Sequence, residues 1–513
     1  MPSKSPRRLC SAPAGSGPRT VVSVAVAGLV ALGGVACSTA PPEAEVEVTF
    51  ERPLAIPPLA DSRVEADGTR VFRLTADEGA TEFLDGTETA TWGFNGSYLG
   101  PTLRAERGER VAVEVTNGLD EGTTVHWHGM HLPAAMDGGP HQMIEPGDTW
   151  RPHWTIDQPA ATLWYHPHPH GETEEHVYRG LAGMFLLDDG TAAAAGLPHD
   201  YGVDDIPVIV QDKRFAEDGR LTLDDSGNEI GTLGGTVMAN GTLGAVHEVI
   251  TERIRLRLLN GSTARTYSFG FDDGRSFQLV GTDGGLLPTP VETDHVRLSP
   301  GERAEIIVAM EEGTEVMLRS TPPDLGAVVA PAAFGGDDAF DVLLLRAADD
   351  LTASPQVAAT LTDPPPPDES DPSDVTRSFV LEGRSINGKT MDMDRIDEVV
   401  TVDTAEVWEV RSRNPFPHNF HVHDVQFRVL SIDGEASPPE LAGRKDTVYL
   451  EPQRTYRLLL TFEDYTDPRY PYMFHCHLLL HEDEGMMGQF VVLEPGQEPE
   501  QSPSGSSGHD HGD

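Results

Sequence analysis

Histidine is the residue of this chain whose spacing most clearly indicates chemistry. The sequence contains 20 histidines, and half of them stand in four short segments. Each segment contains an H-x-H pair, and residues i and i+2 of a strand point to the same face. Each pair would therefore present two imidazoles side by side. Imidazole binds Cu, Zn, Fe and Ni, and eight imidazoles without a clustered carboxylate predict several copper ions rather than Mg or Ca. The pairs are His126/His128, His166/His168, His421/His423 and His475/His477.

Cys476 lies between the two histidines of the last pair. Strand alternation turns it to the opposite face, where we expect it to meet His418, His481 and Met486. Two histidines, one thiolate and a weak axial methionine form the blue-copper electron-transfer set. A metal-bound thiolate would also explain a single cysteine in the body of an exported chain. An electron arriving at Cys476 would then cross one peptide unit to reach either neighbouring histidine.

The elements that must position these residues have the pattern of short β-strands. Apolar and polar residues alternate in several runs, and 52 glycines and 41 prolines separate them. This pattern predicts an all-β chain of sandwiches. The clearest runs are Val111–Val115, Ile254–Leu258 and Val407–Val410.

An internal repeat divides the chain into three units. Trp164–His168 followed by Gly180–Leu187 closes a first unit, and Met473–His477 followed by Gly485–Val492 closes a last unit. The middle unit has comparable strands without paired histidines. The sequence therefore predicts three similar sandwich domains at 48–190, 200–350 and 377–495, with the middle one a spacer between two that carry chemistry.

The N-terminus has the pattern of an export signal over 1–36. Four basic residues precede an apolar run from Val21 to Ala36 that is short for a membrane span. The Arg7-Arg8 pair is compatible with twin-arginine export, although an ordinary basic region explains it equally well. Cys37 resembles the acylated residue of a bacterial lipoprotein, and simple cleavage nearby is the alternative. We expect an extracytoplasmic protein, either secreted or a cell-surface lipoprotein.

Composition also predicts segments outside the domains. We expect linkers at 37–47 and at the proline-rich 351–376, and a disordered tail over 496–513. His509 and His511 in that tail either bind metal or are part of a merely polar end. The formal charge of −46 argues against nucleic acid as a partner, because phosphate binding needs basic patches.

The four histidine segments resemble the copper motifs of the multicopper oxidases, most closely the bacterial copper-efflux and laccase-like branch. The resemblance covers about residues 48–495 and is strongest in H-W-H-G (126–129), W-Y-H-P-H (164–168), H-N-F-H-V-H (418–423) and H-C-H-L-L-L-H-E-D-E-G-M-M (475–487). It implies three cupredoxin-like Greek-key β-sandwich domains and four coppers per chain. It also implies one-electron oxidation of a phenolic, aromatic or metal-ion donor at a type 1 copper. That oxidation would be coupled to four-electron reduction of O2 to water at a trinuclear cluster.

The same resemblance implies a role for each ligand, and no ligand of the pattern is missing. The type 1 copper would be bound by His418, Cys476, His481 and Met486. The type 2 copper would be bound by His126 and His421. The type 3 pair would be bound by His128, His166, His168, His423, His475 and His477.

Two acidic residues stand where the related branch has carboxylates that supply protons to reduced oxygen. They are Asp137, in a Met-Asp-Gly-Gly-Pro turn, and Glu482, directly after His481. Reduction of O2 consumes protons, so a nearby carboxyl group is chemically sensible. The alternatives are a turn former for Asp137 and a hydrogen-bonding partner that orients a ligand for Glu482.

The chain departs from the cuprous-oxidase members of this branch near the type 1 site. It has no methionine-rich insert between 350 and 400, and Asn414 and Phe416 replace the Asp and Met expected before His418. Thioether sulfur selects Cu(I), so its absence favours phenols or aromatic amines as donors and a more open type 1 site. A cuprous (metal) oxidase in copper tolerance and a non-catalytic copper-storing protein are the alternatives. We expect eight other histidines not to be ligands: His131, His141, His153, His170, His176, His199, His247 and His295.

Overall fold

The structure is a computed structural model that describes residues 44, 46–223, 227–362 and 376–500. The predicted export signal, Cys37, residues 363–375 of the proline-rich linker, and His509 and His511 lie outside these residues. In the described ranges no helix has the length and apolar character needed to cross a bilayer. The strands of the described residues form six sheets.

The first pair of sheets encloses the core of the first domain. One sheet has the strand order β5-β11-β10-β7, and the other has β2-β3-β6-β8, with β4 on β3 and β9 on β6. The predicted alternation of Val111, Val113 and Val115 is confirmed, because all three are fully buried on β6. The elements are β1 (Arg52–Pro53), β2 (Ser62–Val64), β3 (Arg70–Leu84), β4 (Thr87–Phe94), β5 (Leu103–Glu106), β6 (Arg110–Asn117), β7 (His126–His128), a 3-10 turn (Ala134–Met136), β8 (Thr149–Trp150), β9 (His153–Thr155), β10 (Ala161–His166), α1 (Thr173–Arg179), β11 (Gly183–Asp188) and α2 (Thr191–Ala194).

The middle pair of sheets has the orders β1-β14-β22-β21-β16-β19 and β13-β12-β15-β20-β17-β18. Strand β1 thus leaves the first domain and pairs in parallel with β14 of the middle domain. The elements are β12 (Asp205–Lys213), β13 (Thr236–Ala239), β14 (Ala245–Thr251), β15 (Arg253–Asn260), β16 (Tyr267–Phe271), β17 (Phe277–Thr282), β18 (Gly285–Thr293), β19 (His295–Leu298), β20 (Arg303–Ala309), β21 (Glu315–Thr321), a 3-10 turn (Pro331–Phe334) and β22 (Phe340–Thr352).

Strand β15 is buried on both faces, although its alternating sequence predicts one buried and one exposed face. Ile254, Leu256 and Leu258 are buried as expected, but Arg255 and Arg257 on the other face are only 2% exposed. That face lies against the first domain, where Arg257 donates to the Thr162 hydroxyl at 2.8 Å. Glu305 and Asp205 neutralise the two guanidinium groups, as buried charges require.

The last pair of sheets has the orders β24-β23-β26-β31-β28-β29 and β25-β33-β32-β27-β30. Its elements are β23 (Arg377–Glu382), β24 (Ser385–Ile386), β25 (Glu398–Thr401), β26 (Thr404–Ser412), β27 (His418–Val422), β28 (Arg428–Ile432), β29 (Glu435–Ala436), a 3-10 turn (Pro439–Leu441), β30 (Thr447–Leu450), β31 (Thr455–Phe462), β32 (Tyr472–His475), α3 (Leu479–Asp483) and β33 (Met487–Leu493). The prediction of three cupredoxin-like β-sandwich domains is confirmed, whereas their exact boundaries stay predictions.

The first and third domains dock through their short helices. The Asp483 carboxylate at the end of α3 accepts the backbone N–H groups of Thr173 and Glu174, both at 2.8 Å. These are N–H groups that α1 cannot satisfy internally. The contact fixes the C-terminal histidine loop of the third domain against the first domain.

Candidate metal centres

The eight paired histidines gather between the first and third domains. In the first domain, β7 and β10 run antiparallel and place His126 opposite His166. In the third domain, β27 and β32 place His421 opposite His475. All eight side chains are 1% exposed or less. The predicted convergence of the four pairs on one place is therefore confirmed.

The backbone of these pairs is less regular than the predicted strand alternation. Only His126 and His128 lie in one strand; β10 ends at His166, β27 at Val422 and β32 at His475. Pro167 lacks the N–H that would continue β10. Asp424, after His423, has a φ of 69°, which ends the extended conformation. Three pairs thus straddle a strand end, and their second histidine is placed by the following loop.

The imidazoles form two groups of three and leave two more beside them. Each group has its nitrogens within 4.8 Å of one another: His128, His166 and His477 in one, and His168, His423 and His475 in the other. In the second group, Nε2 of His475 lies 3.2 Å from Nε2 of His168 and 3.2 Å from that of His423. His126 and His421 form a further group with His423.

The ring nitrogens are suited to bind a cation. Burial first, and then neighbouring imidazoles, lowers the pKa of His421 and His423 well below its usual value, and burial lowers that of His477 to about 3. Neutral rings keep a lone pair for a ligand bond. Nε2 of His126, Nε2 of His421 and both nitrogens of His477 have no hydrogen-bond partner among the described residues. Buried polar atoms without partners are rare, and bound copper ions would satisfy these.

Backbone and carboxylate oxygens hold the outer nitrogens of these rings. Nδ1 of His126 donates to the Asp137 carbonyl at 3.0 Å, and Nδ1 of His421 donates to the Asp446 carbonyl at 2.8 Å. Such contacts fix the tautomer and orient the ligand nitrogen. Asp446 escaped the sequence analysis because it stands in no histidine motif and has no distinctive spacing.

The two predicted carboxylates both contact the histidine cluster. Asp137 is 1% exposed, and its Oδ2 accepts from Nδ1 of His423 at 2.7 Å. The role of a turn former does not account for that contact. Glu482 lies on α3 with its oxygens 3.3 Å from Nδ1 of His168 and 3.3 Å from Nδ1 of His475. Burial, and then Asp483, raises the pKa of Glu482 well above its usual range, which favours the protonated form of this carboxyl group.

A second, smaller site lies wholly within the third domain. The Cys476 thiol sulfur is 3.4 Å from Nδ1 of His418 and 3.4 Å from Nδ1 of His481, and all three residues are fully buried. Burial raises the pKa of Cys476 to about 12, so it becomes a thiolate only with a cation beside it. Met486 is buried, and its backbone bonds to those of Cys476 and His481. The prediction that Cys476 faces His418 and His481 is confirmed.

The two histidines of the smaller site are enclosed by protein, and the expectation that this site is more open than in the cuprous oxidases stays a prediction. His418 and His481 are both 0% exposed. The Asn414 amide nitrogen lies 2.6 Å from Nε2 of His418, and Nε2 of His481 donates to the Glu229 carbonyl at 2.7 Å. Glu229 lies between β12 and β13, so the middle domain covers a ligand of the third. The sequence could not indicate this contact, because its partners are far apart in the chain.

The middle domain, expected to be a spacer without copper ligands, also contacts the larger cluster. The Asn419 amide donates to the Pro300 carbonyl at 2.8 Å, and its oxygen accepts the His477 N–H at 2.6 Å. Gly301 lies so close that a Cβ there would be 3.2 Å from the His477 ring. Outside the cluster, His131 bonds to Asp424 and His176 bonds to Glu121.

Comparison with known proteins agrees with this geometry. Three family models, each described as multicopper oxidase, match residues 75–192, 217–319 and 362–496. The chain is 35% identical to multicopper oxidase mco of Staphylococcus aureus over 454 residues, 87% of this chain and 92% of that one. It is 34% identical to cell division protein FtsP of Escherichia coli over 470 residues, 90% of this chain and 97% of that one.

Two solved structures extend the comparison to three dimensions. A laccase-like multicopper oxidase from Ochrobactrum sp., with oxidase activity towards lignin model compounds and lignosulfonate, has a TM-score of 0.78 and 36% identity, covering 86% of this chain and 100% of that one. A multicopper oxidase from Campylobacter jejuni, described as a metallo-oxidase, has a TM-score of 0.73 and 26% identity, covering 88% of this chain and 99% of that one.

The fold and the two histidine sites define a copper-dependent oxidoreductase built from cupredoxin-like domains. The chain belongs to the multicopper oxidase family. It uses O2 as electron acceptor and takes four coppers, one of type 1, one of type 2 and two of type 3. The predictions of family, enzyme class and cofactor are confirmed.

Proposed function

We propose that the grouping of the side chains assigns each ligand to one copper. The type 1 copper is bound by His418, Cys476, His481 and Met486. The type 2 copper is bound by His126 and His421, and the type 3 pair by His128, His166 and His477 on one ion and His168, His423 and His475 on the other. The observation that carries the assignment is the gathering of eight buried imidazoles into two triplets and a pair.

The chain's own residues link the two sites and supply protons. The bound coppers supply one-electron transfer and the reduction of O2 to water. Cys476 is joined by one peptide unit to His475 and by another to His477, which belong to different triplets. Electrons from the donor therefore have a covalent path to both type 3 ions. The Glu482 carboxyl group lies 3.3 Å from His168 and from His475, and Asp137 accepts a hydrogen bond from His423. We assign the proton supply for oxygen reduction to these two carboxyl groups.

Oxygen uptake tests this function directly. The copper-loaded protein is expected to consume O2 with a phenolic donor and to produce water without releasing peroxide. A fully copper-loaded protein that takes up no O2 with phenolic, aromatic amine or Cu(I) donors would contradict the enzymatic function. That result would instead support a copper-storing protein.

We further propose an aromatic donor, such as a phenol or aromatic amine. The Phe416 ring lies 5.1 Å from the His418 ring and 6.1 Å from that of Phe334, and offers stacking to an aromatic substrate. The side chains next to His418 are thus an amide, Asn414, and an aromatic ring rather than thioethers. The similarity to an enzyme active towards lignin model compounds supports the same class of donor.

The second candidate is oxidation of Cu(I) or another low-valent metal ion. The half-exposed carboxylates of Glu229 and Glu484 flank Arg384 near His481 and could attract a cation. Comparing kcat/KM for a phenol and for Cu(I) decides between them, with Phe416→Leu as a probe. An aromatic donor predicts a loss of about 10-fold for the phenol and little change for Cu(I). Efficient Cu(I) turnover with negligible phenol turnover would reverse this assignment.

We propose that the protein is exported and that Cys37 carries a lipid. The basic and apolar pattern of 1–36 and the position of Cys37 support this proposal. Fractionation of cells that express the full chain or Cys37→Ala tests it. Membrane association that Cys37→Ala abolishes is the expected result, and equal release of both proteins would show simple cleavage and secretion.

A further inference from the structure

A cluster of buried charges joins the middle domain to the histidine cluster. Asp283, Glu302 and Arg303 come from the middle domain, and Lys445 and Asp446 come from the third. All five are 3% exposed or less. Each charge removed from water costs several kcal/mol unless opposite charges and hydrogen bonds compensate it. The contacts of these five charged residues are therefore expected to be specific, and some of them reach the histidine cluster.

Arg303 is held on all sides by hydrogen bonds. Nε donates to the Thr162 carbonyl of the first domain at 2.8 Å. Nη1 and Nη2 each donate to one backbone carbonyl, those of Gly301 and Asp283, both at 3.0 Å. Their remaining N–H groups donate to the two carboxylate oxygens of Asp446 at 2.7 and 2.6 Å. All five guanidinium donors are thus satisfied, and the fork fixes the plane of the Asp446 carboxylate.

Asp446 in turn contacts two imidazoles from different domains. Its Oδ1 lies 3.0 Å from Nε2 of His128, and its carbonyl accepts from Nδ1 of His421 at 2.8 Å. The Thr447 hydroxyl donates to Oδ1 of Asp446 at 2.9 Å and lies 3.1 Å from both rings. These contacts leave Nδ1 of His128 and Nε2 of His421 to face the cluster. In the proposed assignment, the first belongs to a type 3 ion and the second to the type 2 ion.

We propose that Arg303 is a positioning residue for the trinuclear centre, acting through Asp446 on His128 and His421. Arg303 holds the Asp446 carboxylate in one rotamer. That carboxylate contacts His128 directly and His421 through the Thr447 hydroxyl, so it orients both rings. The type 2 ion has only two protein ligands, so a rotation of His421 affects it most. The middle domain therefore helps to build a copper site although it supplies no ligand. This inference rests on the ligand assignment proposed above.

Arg257 offers a matched control in the same domain. It is as buried as Arg303, bonds to both oxygens of Asp205 at 2.6 and 3.0 Å, and also reaches the first domain through Thr162. Its partners Asp205, Glu305 and Thr162 make no hydrogen bond to a proposed copper ligand among the described residues. Removing Arg257 breaks a buried ion pair of the same kind and leaves the contacts of Asp446 with the histidines in place.

Copper quantitation and electron paramagnetic resonance of Arg303→Met, Arg303→Lys and Arg257→Met test the proposal. We expect the type 2 signal of Arg303→Met to be lost or altered and its blue absorption to be intact. Its type 2 copper should be released at a chelator concentration about 10- to 100-fold lower than the wild type requires. Arg303→Lys, which keeps the charge, should restore part of the signal. Arg257→Met should keep all four coppers and an unchanged type 2 signal.

Asp446→Asn keeps the shape of the side chain and covers the case in which Arg303→Met does not fold. It should alter the type 2 signal in the same way. A normal type 2 signal in the wild type, together with the same signal in every folded variant of Arg303 and Asp446, would overturn the positioning role and leave the ligand assignment intact. A copper-loaded wild type without a type 2 signal would overturn the ligand assignment, and this inference with it.

Discussion

The two metal sites of this protein are built in different ways. The proposed ligands of the type 1 site, from His418 to Met486, all belong to the third domain, and the middle domain adds a backbone contact to His481. The eight imidazoles of the larger site come from the first and third domains, and the middle domain contacts both through Arg303 and Gly301. The ligands of the smaller site therefore come from one folded domain, whereas the larger site forms only when the three domains dock.

The largest expected effect comes from removing the type 1 sulfur. Cys476→Ser should abolish the blue thiolate absorption and reduce oxygen uptake by about 10³-fold or more, because electrons then lack their entry site. The coppers of the larger cluster should be largely retained. Absorption spectroscopy with copper quantitation checks this outcome. Loss of all the copper would contradict the independence of the two sites.

The next effect concerns proton supply to the larger site. Glu482→Gln keeps the shape of the side chain but cannot release a proton, so we expect a 10²- to 10⁴-fold fall in kcat. The blue absorption should be unchanged, and the type 1 copper should remain reduced by the donor during turnover. Stopped-flow absorption measures the steady-state oxidation level. An unchanged kcat would leave Glu482 only the role of orienting His168 and His475.

A smaller effect is expected from crowding the larger site. Gly301 has a φ of 84°, and an added Cβ would lie 3.2 Å from the His477 ring and 3.3 Å from that of His128. We expect Gly301→Ala to lower oxygen uptake about 10- to 100-fold and to change the type 3 absorption while sparing the blue absorption.

Gly274→Ala is the control for this substitution, because Gly274 has a φ of 70° and open space around it. It imposes a similar backbone strain of about 1–3 kcal/mol far from copper. Equal losses of activity in both variants would attribute the effect to strain rather than to contact with the cluster.

The smallest effect is a pH dependence of domain docking. His131 of the first domain lies 2.8 Å from Asp424 of the third. Although burial opposes it, Asp424 raises the pKa of His131 to about 9. A raised pKa means that the stabilisation is full below the unfolded value of about 6.5 and is lost as pH rises through about 9. It amounts to at most about 3 kcal/mol.

Melting temperatures of the wild type and His131→Asn from pH 6 to 10 measure this contribution. The wild type should be the more stable below about pH 6.5, and the difference should shrink towards zero above about pH 9. A difference that does not change with pH would show that the contact stabilises by packing rather than by charge.

The sequence predicted what depends on local motifs. The four H-x-H pairs and Cys476 carry their spacing in the chain, so their convergence could be inferred before any coordinates. The burial of Arg255 and Arg257, the cover over His481 and the role of Asp446 depend on which domain faces which. Nothing in a single strand indicates the face of a neighbouring domain that will lie against it. The sequence analysis missed these contacts between domains, and it also missed the strand ends that divide three of the four histidine pairs.

The central claim is that the chain holds one copper inside the third domain and three between the domains. Anomalous diffraction at the copper edge from crystals of the copper-loaded protein tests it most directly. We predict four peaks: one beside the Cys476 sulfur between His418 and His481, and three among the eight paired imidazoles. Fewer than three peaks among those imidazoles, or none at Cys476, would contradict it.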